Sequence, residues 1–428
     1  MFIFTQKNSR EYTDMIKQII FFLFLSTGSL FGQIEEEISP PSYIKSIVFK
    51  GENEGDQFPI VRLRESFTLS FDDIRAKEAD YYYKIIHCNY DWTPSRLSKP
   101  QYLNGADNQR IVNYQNSYNT LQPYSNYQLT FPNNLTRLKL TGNYMLKIYD
   151  SNDELQFSRR FIVFSDAVTV GPYLKRTRDL SEIYQKQVVQ FTINTNGFRL
   201  VNPQQEVKVT ILQNHNWQSV ITGVKPQFFS GNQLIYKYDK ETSFDGLNEF
   251  LFFDNKTIRT VGNGILSVEL NDLYNHYLYN DVNRRNLEYT FNPDINGDFV
   301  VRTLDGEDND TEADYARVHF ALEYDNSIGL DKVYVYGKFN NYELGEENEL
   351  RYNEESKLLE TSILLKQGFY NYRYAVLNNE GELDFVRVTG NHFQTENNYL
   401  VIVYYRKFGD MYDSIIGIGS ASSVNISN

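Results

Sequence analysis

The chain holds a single cysteine, Cys88, in 428 residues. One thiol excludes an intramolecular disulfide and any thiolate metal cluster. Basic charge is also short: 42 Lys and Arg stand against 55 Asp and Glu, a net charge of −13. That balance argues against nucleic acid, whose phosphates are held by clustered cations. The five histidines (His87, His215, His276, His319, His392) are scattered. None has the HxxxH or HxH spacing that would bring two imidazoles to one zinc ion. GxSxG, P-loop and dinucleotide-binding patterns are missing too. His87 beside Cys88 is the one pair of base and nucleophile worth weighing. Neighbours in a strand point to opposite faces, so a buried thiol and a hydrogen-bonded imidazole are expected. Asp305, Glu307, Asp308, Asp310, Glu312 and Asp314 form a dense acidic run. It lacks the glycine and closing glutamate of a Ca²⁺ loop, so a solvated linker is expected. No catalytic residue, cofactor or metal ligand is assigned, and the chain reads as a non-enzyme.

Long amphipathic helical patterns are few, whereas Tyr (34) and Phe (30) are abundant. Short aromatic and β-branched runs with Asn, Pro and Gly between them point to an all-β chain. A basic residue, Lys17, precedes the apolar run Ile19–Leu25, and small residues lead on to Gly32. This is expected to be a cleaved secretory leader over residues 1–32, with Met15 as the true start and Gln33 as the first mature residue. The run is too short to span a bilayer. No cysteine follows it, so a lipid anchor of the lipobox type is excluded.

Three β-sandwich units are expected in succession. The first covers residues 42–165, with SFTLSF and GNYMLKIY alternating as half-buried strands do. It suits an immunoglobulin-like sandwich without its disulfide. The second covers 166–292 and includes EVKVTILQN; NDLYNHYLYN within it reads as either a strand or a short helix. The third covers 293–428. In it Tyr370, Tyr372 and Tyr374 share one face, as do Tyr399, Val401, Val403 and Tyr405. Its acidic stretches GEENELRYNEESK and NNEGELDF read as solvated hairpin tips. Its run VYVYGKFNNY followed by LLKQGFYNYRY resembles the early-set sandwich modules that bind glycogen and starch, with Tyr342 in place of their platform tryptophan.

Two long polar segments, Asn89–Asn113 and Asn116–Asn126, carry aromatics between strands of the first unit. Long loops of this kind are usually functional when ordered. Tyr90, Trp92, Tyr102, Tyr114, Tyr118 and Tyr124 are therefore candidate partner-binding residues. Trp92 also fits a core position, and the loop tyrosines stay open between core and contact.

The order HCNYDW (His87–Trp92), YLNG (Tyr102–Gly105), NSYNT (Asn116–Thr120), FPNN (Phe131–Asn134) and GNYML (Gly142–Leu146) resembles the plug proteins of the Bacteroidetes type IX secretion system. NEFLFFD (Asn248–Asp254), PDINGDF (Pro293–Phe299), KQGFYNYRY (Lys366–Tyr374), TGNHFQTENNYLVIVYYR (Thr389–Arg406) and YDSIIG (Tyr412–Gly417) continue that likeness. The resemblance implies a periplasmic protein at the inner face of the outer membrane, associated with it only through a partner. That partner is the large translocon barrel, whose empty pore the plug would seal. A glycan-binding or surface-adhesion protein of tandem sandwiches is the alternative.

Overall fold

The computed structural model describes residues 33–51 and 58–426. The leader expected over residues 1–32 lies outside the described residues, and so does most of the charged turn after Lys50. Within them, no helix is long and apolar enough to cross a membrane. The chain is all-β.

The first sandwich stacks two sheets. One runs in the order Ile44–Lys50, Phe67–Asp73, Ser125–Phe131, Asn113–Asn116. The other runs Ile60–Arg62, Leu155–Phe164, Gly142–Asp150, Tyr81–Cys88, Gln109–Arg110. Alternation decides what lies between them. Phe67, Leu69 and Phe71 from one sheet meet Tyr144, Leu146, Ile148, Phe157 and Phe161 from the other in a single buried cluster. Phe71 stacks on Tyr127 at 5.2 Å, and Tyr144 on Phe161 at 5.1 Å. Each such aromatic contributes about 1.5–3 kcal/mol by leaving water. Lys147, on the opposite face of its strand, instead pairs with Glu35 at 2.7 Å.

The second sandwich does not close where the order of the sequence suggests. One sheet joins Thr169–Arg176, Lys186–Asn194, Gln233–Tyr236 and Phe228–Ser230, with Ser243–Asp245 alongside. The facing sheet is Asn216–Thr222, Val207–Gln213, Asn398–Tyr405, Ser414–Ser422. Val209 and Ile211 lie opposite Val403 and Val401 across this antiparallel pair. Strands expected in a third unit of residues 293–428 thus complete the second. The third sandwich is an insertion into it.

That insertion is one ten-stranded sheet running from Leu251–Asp254 through Gly368–Leu377, Lys332–Tyr336, Glu349–Tyr352, Leu358–Lys366, Tyr315–Glu323 and Tyr274–Leu278 to Ile265–Leu270, with Phe299–Val301 and Leu383–Asp384 paired alongside Gly368–Leu377. Phe253, near one end, meets Phe320 from the other half at 5.9 Å, so the sheet curls over on itself. Strands expected in residues 166–292 therefore belong here, and the ambiguous NDLYNHYLYN supplies a strand. Tyr370, Tyr372 and Tyr374 all point into its core, as their alternation predicts.

Inside this core the Asp281 carboxylate accepts the hydroxyls of Tyr372 (2.8 Å) and Tyr374 (2.7 Å). Burial outweighs those bonds and pushes Asp281 up to about 6, from 3.8. A raised folded value means that the folded state holds the proton more tightly. The stability this contributes is present below the unfolded value and is lost as pH rises from 3.8 through about 6. Asp281→Asn is therefore expected to match the parent below about pH 4 and to exceed it by about 3 kcal/mol at neutral pH. Urea midpoints at the two pH values measure the gap; a gap independent of pH contradicts the argument.

Candidate functional site

The aromatic loops of the first sandwich do not form an exposed patch. Trp92 is only 6% exposed. Its backbone sits at φ 63, a left-handed conformation that a bulky side chain rarely adopts. Asn89 accepts its amide, and Glu35 donates to its carbonyl. The chain has two tryptophans, and they meet: Trp92 and Trp217 lie edge to face at 5.0 Å. The Arg160 guanidinium lies 4.4 Å from the first ring centroid and 5.3 Å from the second. Trp217 belongs to the second sandwich, so this cluster is a joint between two units.

Tyr102 and Tyr124 are buried as well. Tyr102 donates its hydroxyl to the Ile85 carbonyl within the first sandwich. Tyr124 donates to the Ala313 carbonyl of the inserted one at 2.8 Å. Tyr90, half-buried, packs edge-on against Tyr404, with the Lys208 ammonium 3.8 Å above its ring. Tyr114 stacks on Tyr127. Tyr118 alone of the six is freely exposed, at 72%. Tyr90, Trp92 and Tyr124 thus sit between sandwiches, Tyr102 and Tyr114 pack within the first, and Tyr118 faces solvent, so the six do not form one open binding surface.

Sequence reasoning missed the charged residues that lock these joints. Between the first and the inserted sandwich, Lys366 and Asp72 form an ion pair at 2.8 Å with side chains 2% and 0% exposed. Asp72 also accepts the Tyr315 hydroxyl (2.6 Å) and the Asn126 amide (2.7 Å). Lys366 further donates to the Asp310 carbonyl. Asp314 accepts the backbone amides of Leu121 and Gln122. The acidic run is therefore solvated only in part: Asp305, Glu307, Asp308 and Asp310 are exposed, whereas Asp314 is buried. Its carboxylates and carbonyls cap groups of the first sandwich, and among the described residues no His, Cys, Asp and Glu cluster could hold a metal ion. A signal existed: Asp72 lies near the end of the strand Phe67–Asp73 and Lys366 ends Leu358–Lys366, each adjoining a buried apolar run.

Between the first and second sandwiches the fully buried Asp413 carboxylate gathers Arg406 (2.6 Å), Lys208 (3.1 Å) and the Tyr90 amide (3.1 Å). Tyr404 donates to Asn143, which in turn donates to the Asn89 carbonyl. Around this polar centre Leu400, Ile402, Tyr404 and Ile415 press on Ile162 and Phe164. Strand Asn398–Tyr405 is therefore buried on both faces.

A cavity of about 680 Å³ lies where the three sandwiches meet, lined by residues of each. The arm from Glu35 to Pro41 runs across it. Glu37 accepts the Arg160 amide from the first sandwich and the Asn341 side chain from the inserted one. The Lys45 ammonium reaches Glu347, so the tip of GEENE is tied down and not merely solvated.

The chemistry available here is that of contact. His87 and Cys88 are buried neighbours on one strand. Burial pushes the imidazole down to about 4 and the thiol up, which keeps both neutral at pH 7. Tyr342, which stands where a sugar platform would need its tryptophan, is 6% exposed and packed on Tyr336, so its ring is closed to a glycan.

Residues 44–165, the first sandwich, match the model of the type 9 secretion system plug protein first domain. A crystal structure at 2.30 Å of a hypothetical protein from Parabacteroides merdae ATCC 43184 is 31% identical and superposes with a TM-score of 0.86. The match covers 91% of this chain and 99% of that one. The chain belongs to the type IX secretion system plug family. No curated protein matches it. For a plug-family protein the joints acquire a sense, because the matched first domain is gripped by the other two sandwiches through buried charge.

Proposed function

We propose that this protein is the periplasmic stopper of the type IX secretion system, docking on the inner mouth of the outer-membrane translocon barrel and sealing its pore while no substrate is engaged. Family membership supports the assignment to that system. The observation that carries the mechanical part is the way the sandwiches are joined. An obstruction in a wide aqueous lumen has to resist deformation, and a barrel of many strands encloses such a lumen. Three sandwiches strung on flexible linkers would bend. Here the third is inserted into the second, and buried ion pairs with shared tyrosine hydroxyls hold both against the first. The role is non-catalytic and needs no cofactor. Release has to be possible, so a polar barrel contact of moderate size is expected.

Deletion of the gene is expected to make cells sensitive to vancomycin, which an intact outer membrane excludes. Full-length protein supplied in trans is expected to restore resistance. Blocking synthesis of the barrel in the same strain is expected to restore it as well, since the leak then has no route. Cells that stay impermeable while secretion runs through an unblocked barrel would sink the sealing role.

A further inference from the structure

Three segments meet at one end of the second sandwich: residues 195–206, residues 223–232 with the edge strand Phe228–Ser230, and residues 406–413. Hydrogen bonds stitch them together. The Thr195 amide donates to the Asn232 carbonyl (2.9 Å), the Gln204 side chain to the Pro226 carbonyl (3.0 Å), and the Arg406 amide to the Glu206 carbonyl (3.0 Å). Phe198 packs edge-on against Tyr405 at 5.3 Å and seats the first segment on the sheet.

This end is apolar where it is most exposed. Phe408 is 96% exposed, Val201 66%, Phe228 58%, Phe229 50% and Met411 44%. Single apolar side chains on a surface are ordinary, but a group of them on adjoining segments marks a contact. They project and do not line a groove. Phe228 and Phe229 are neighbours in one strand and point to its opposite faces. A Cβ added at Gly197, Gly223, Gly231 or Gly409 would meet nothing within 4 Å, so the backbone of each segment stands clear.

Charge sets this end apart from the rest of the molecule. Glu206 is buried and turned inward onto the Val201 and Asn202 amides, and Arg406 is paired with Asp413. That leaves Arg199, Lys225 and Lys407, all exposed, against Asp410 alone. Among the described residues the side chains of these three cations have no ion-pair or hydrogen-bond partner. The chain as a whole carries −13.

We infer that this end of the second sandwich seats directly on an anionic phospholipid surface, with Phe408, Phe228 and Phe229 in the boundary between headgroups and acyl chains and Arg199, Lys225 and Lys407 on the lipid phosphates. Apolar side chains that enter this boundary beside cations that meet anionic headgroups are the general design of interfacial segments. Shape decides the occupant. A fluid surface closes around tips on separate segments and around both faces of one strand, whereas a folded partner would need a separate pocket for each anchor. The contact is additional to any made through the barrel, and the inference does not depend on the sealing role.

The test is flotation of the purified protein with vesicles of dioleoylphosphatidylcholine, pure or mixed equally with dioleoylphosphatidylglycerol. The parent is expected to float with the mixed vesicles in low salt and to stay behind with the neutral ones. Arg199→Gln, Lys225→Gln and Lys407→Gln together are expected to lower partitioning about a hundredfold, about fivefold for each charge. Phe228→Ser with Phe408→Ser is expected to abolish flotation while leaving the urea midpoint unchanged, since both side chains are exposed. Phe408→Trp supplies a readout that misfolding does not mimic. Its added emission is expected to move to shorter wavelength on the mixed vesicles and to be quenched by brominated acyl chains. No flotation by about 1 mM lipid, the weak end of specific affinities, overturns the proposal. So does flotation that neither set of substitutions weakens, or a Phe408→Trp emission that the vesicles leave unmoved. Sedimentation equilibrium covers the other occupant, a second copy of this chain. A dimer that Phe228→Ser with Phe408→Ser dissociates, in a protein that does not float, would assign this end to self-association and overturn the lipid reading.

Discussion

Asp72→Ala is expected to destabilise the protein by about 3–5 kcal/mol, the loss that follows when one member of a buried ion pair is removed. The reason lies in what the substitution strands. The Lys366 ammonium, 2% exposed, keeps the Asp310 carbonyl and the face of Tyr124 but loses the carboxylate it is paired with. The Tyr315 hydroxyl and the Asn126 amide lose an acceptor at the same time. Water cannot readily take the carboxylate's place, since Tyr315 is wholly buried. Lys366→Met is expected to cost less, because Asp72 then retains two hydrogen-bond donors. Urea denaturation ranks the two variants, and equal losses would contradict the assignment of Asp72 as the hub. The same joint fastens the first sandwich to the inserted one. Limited proteolysis of Asp72→Ala is accordingly expected to cut first in residues 302–314, which rest on that joint.

The second large effect is expected at the other joint. Asp413→Ala removes the acceptor shared by Arg406, Lys208 and the Tyr90 amide. Arg406 and Lys208 are partly exposed, so water relieves some of their charge. The expected loss is therefore about 2–3 kcal/mol, below that of a fully buried pair. A direct reporter is built in. Both tryptophans of the chain lie against Arg160 at this boundary, so their emission reports on it. In Asp413→Ala the emission maximum is expected to move to longer wavelength at urea concentrations where the parent still shows a buried maximum. Emission that holds to the parent's midpoint would mean that the joint survives on its apolar contacts through Leu400, Ile402 and Ile162.

The two joints bear on function through stiffness. Buried ion pairs often add little net stability compared with apolar replacements, and their best-attested use is to fix one arrangement out of several. Here they specify how three sandwiches sit together, which a stopper requires and a string of adhesion modules does not. If the proposed sealing role holds, Asp72→Ala is expected to leak vancomycin before its steady-state level falls.

What could be read from the residues alone was local. Alternation in SFTLSF, GNYMLKIY and YNYRY told which side of each strand is covered, and the structure has those side chains in the cores. The scattered histidines and lone cysteine left no metal or nucleophile constellation to assign, and ordered motifs along the chain gave the family. None of these signals says what does the covering. Val401 and Val403 read as apolar positions in any sandwich, and only pairing with Val207–Gln213 assigns them to the second. Leu400, Ile402 and Tyr404, on the opposite face, are buried by another unit altogether. Trp92 and Tyr124 had the composition of interface anchors, and they are anchors, but turned inward between sandwiches. A residue's burial depends on whatever surface arrives from far along the chain, and periodicity carries no record of that surface. The sequence by itself determined the strands, their inward faces and the family. Tertiary structure alone decided which strands complete which sandwich, and that buried charge, not loop aromatics on an open face, holds them together.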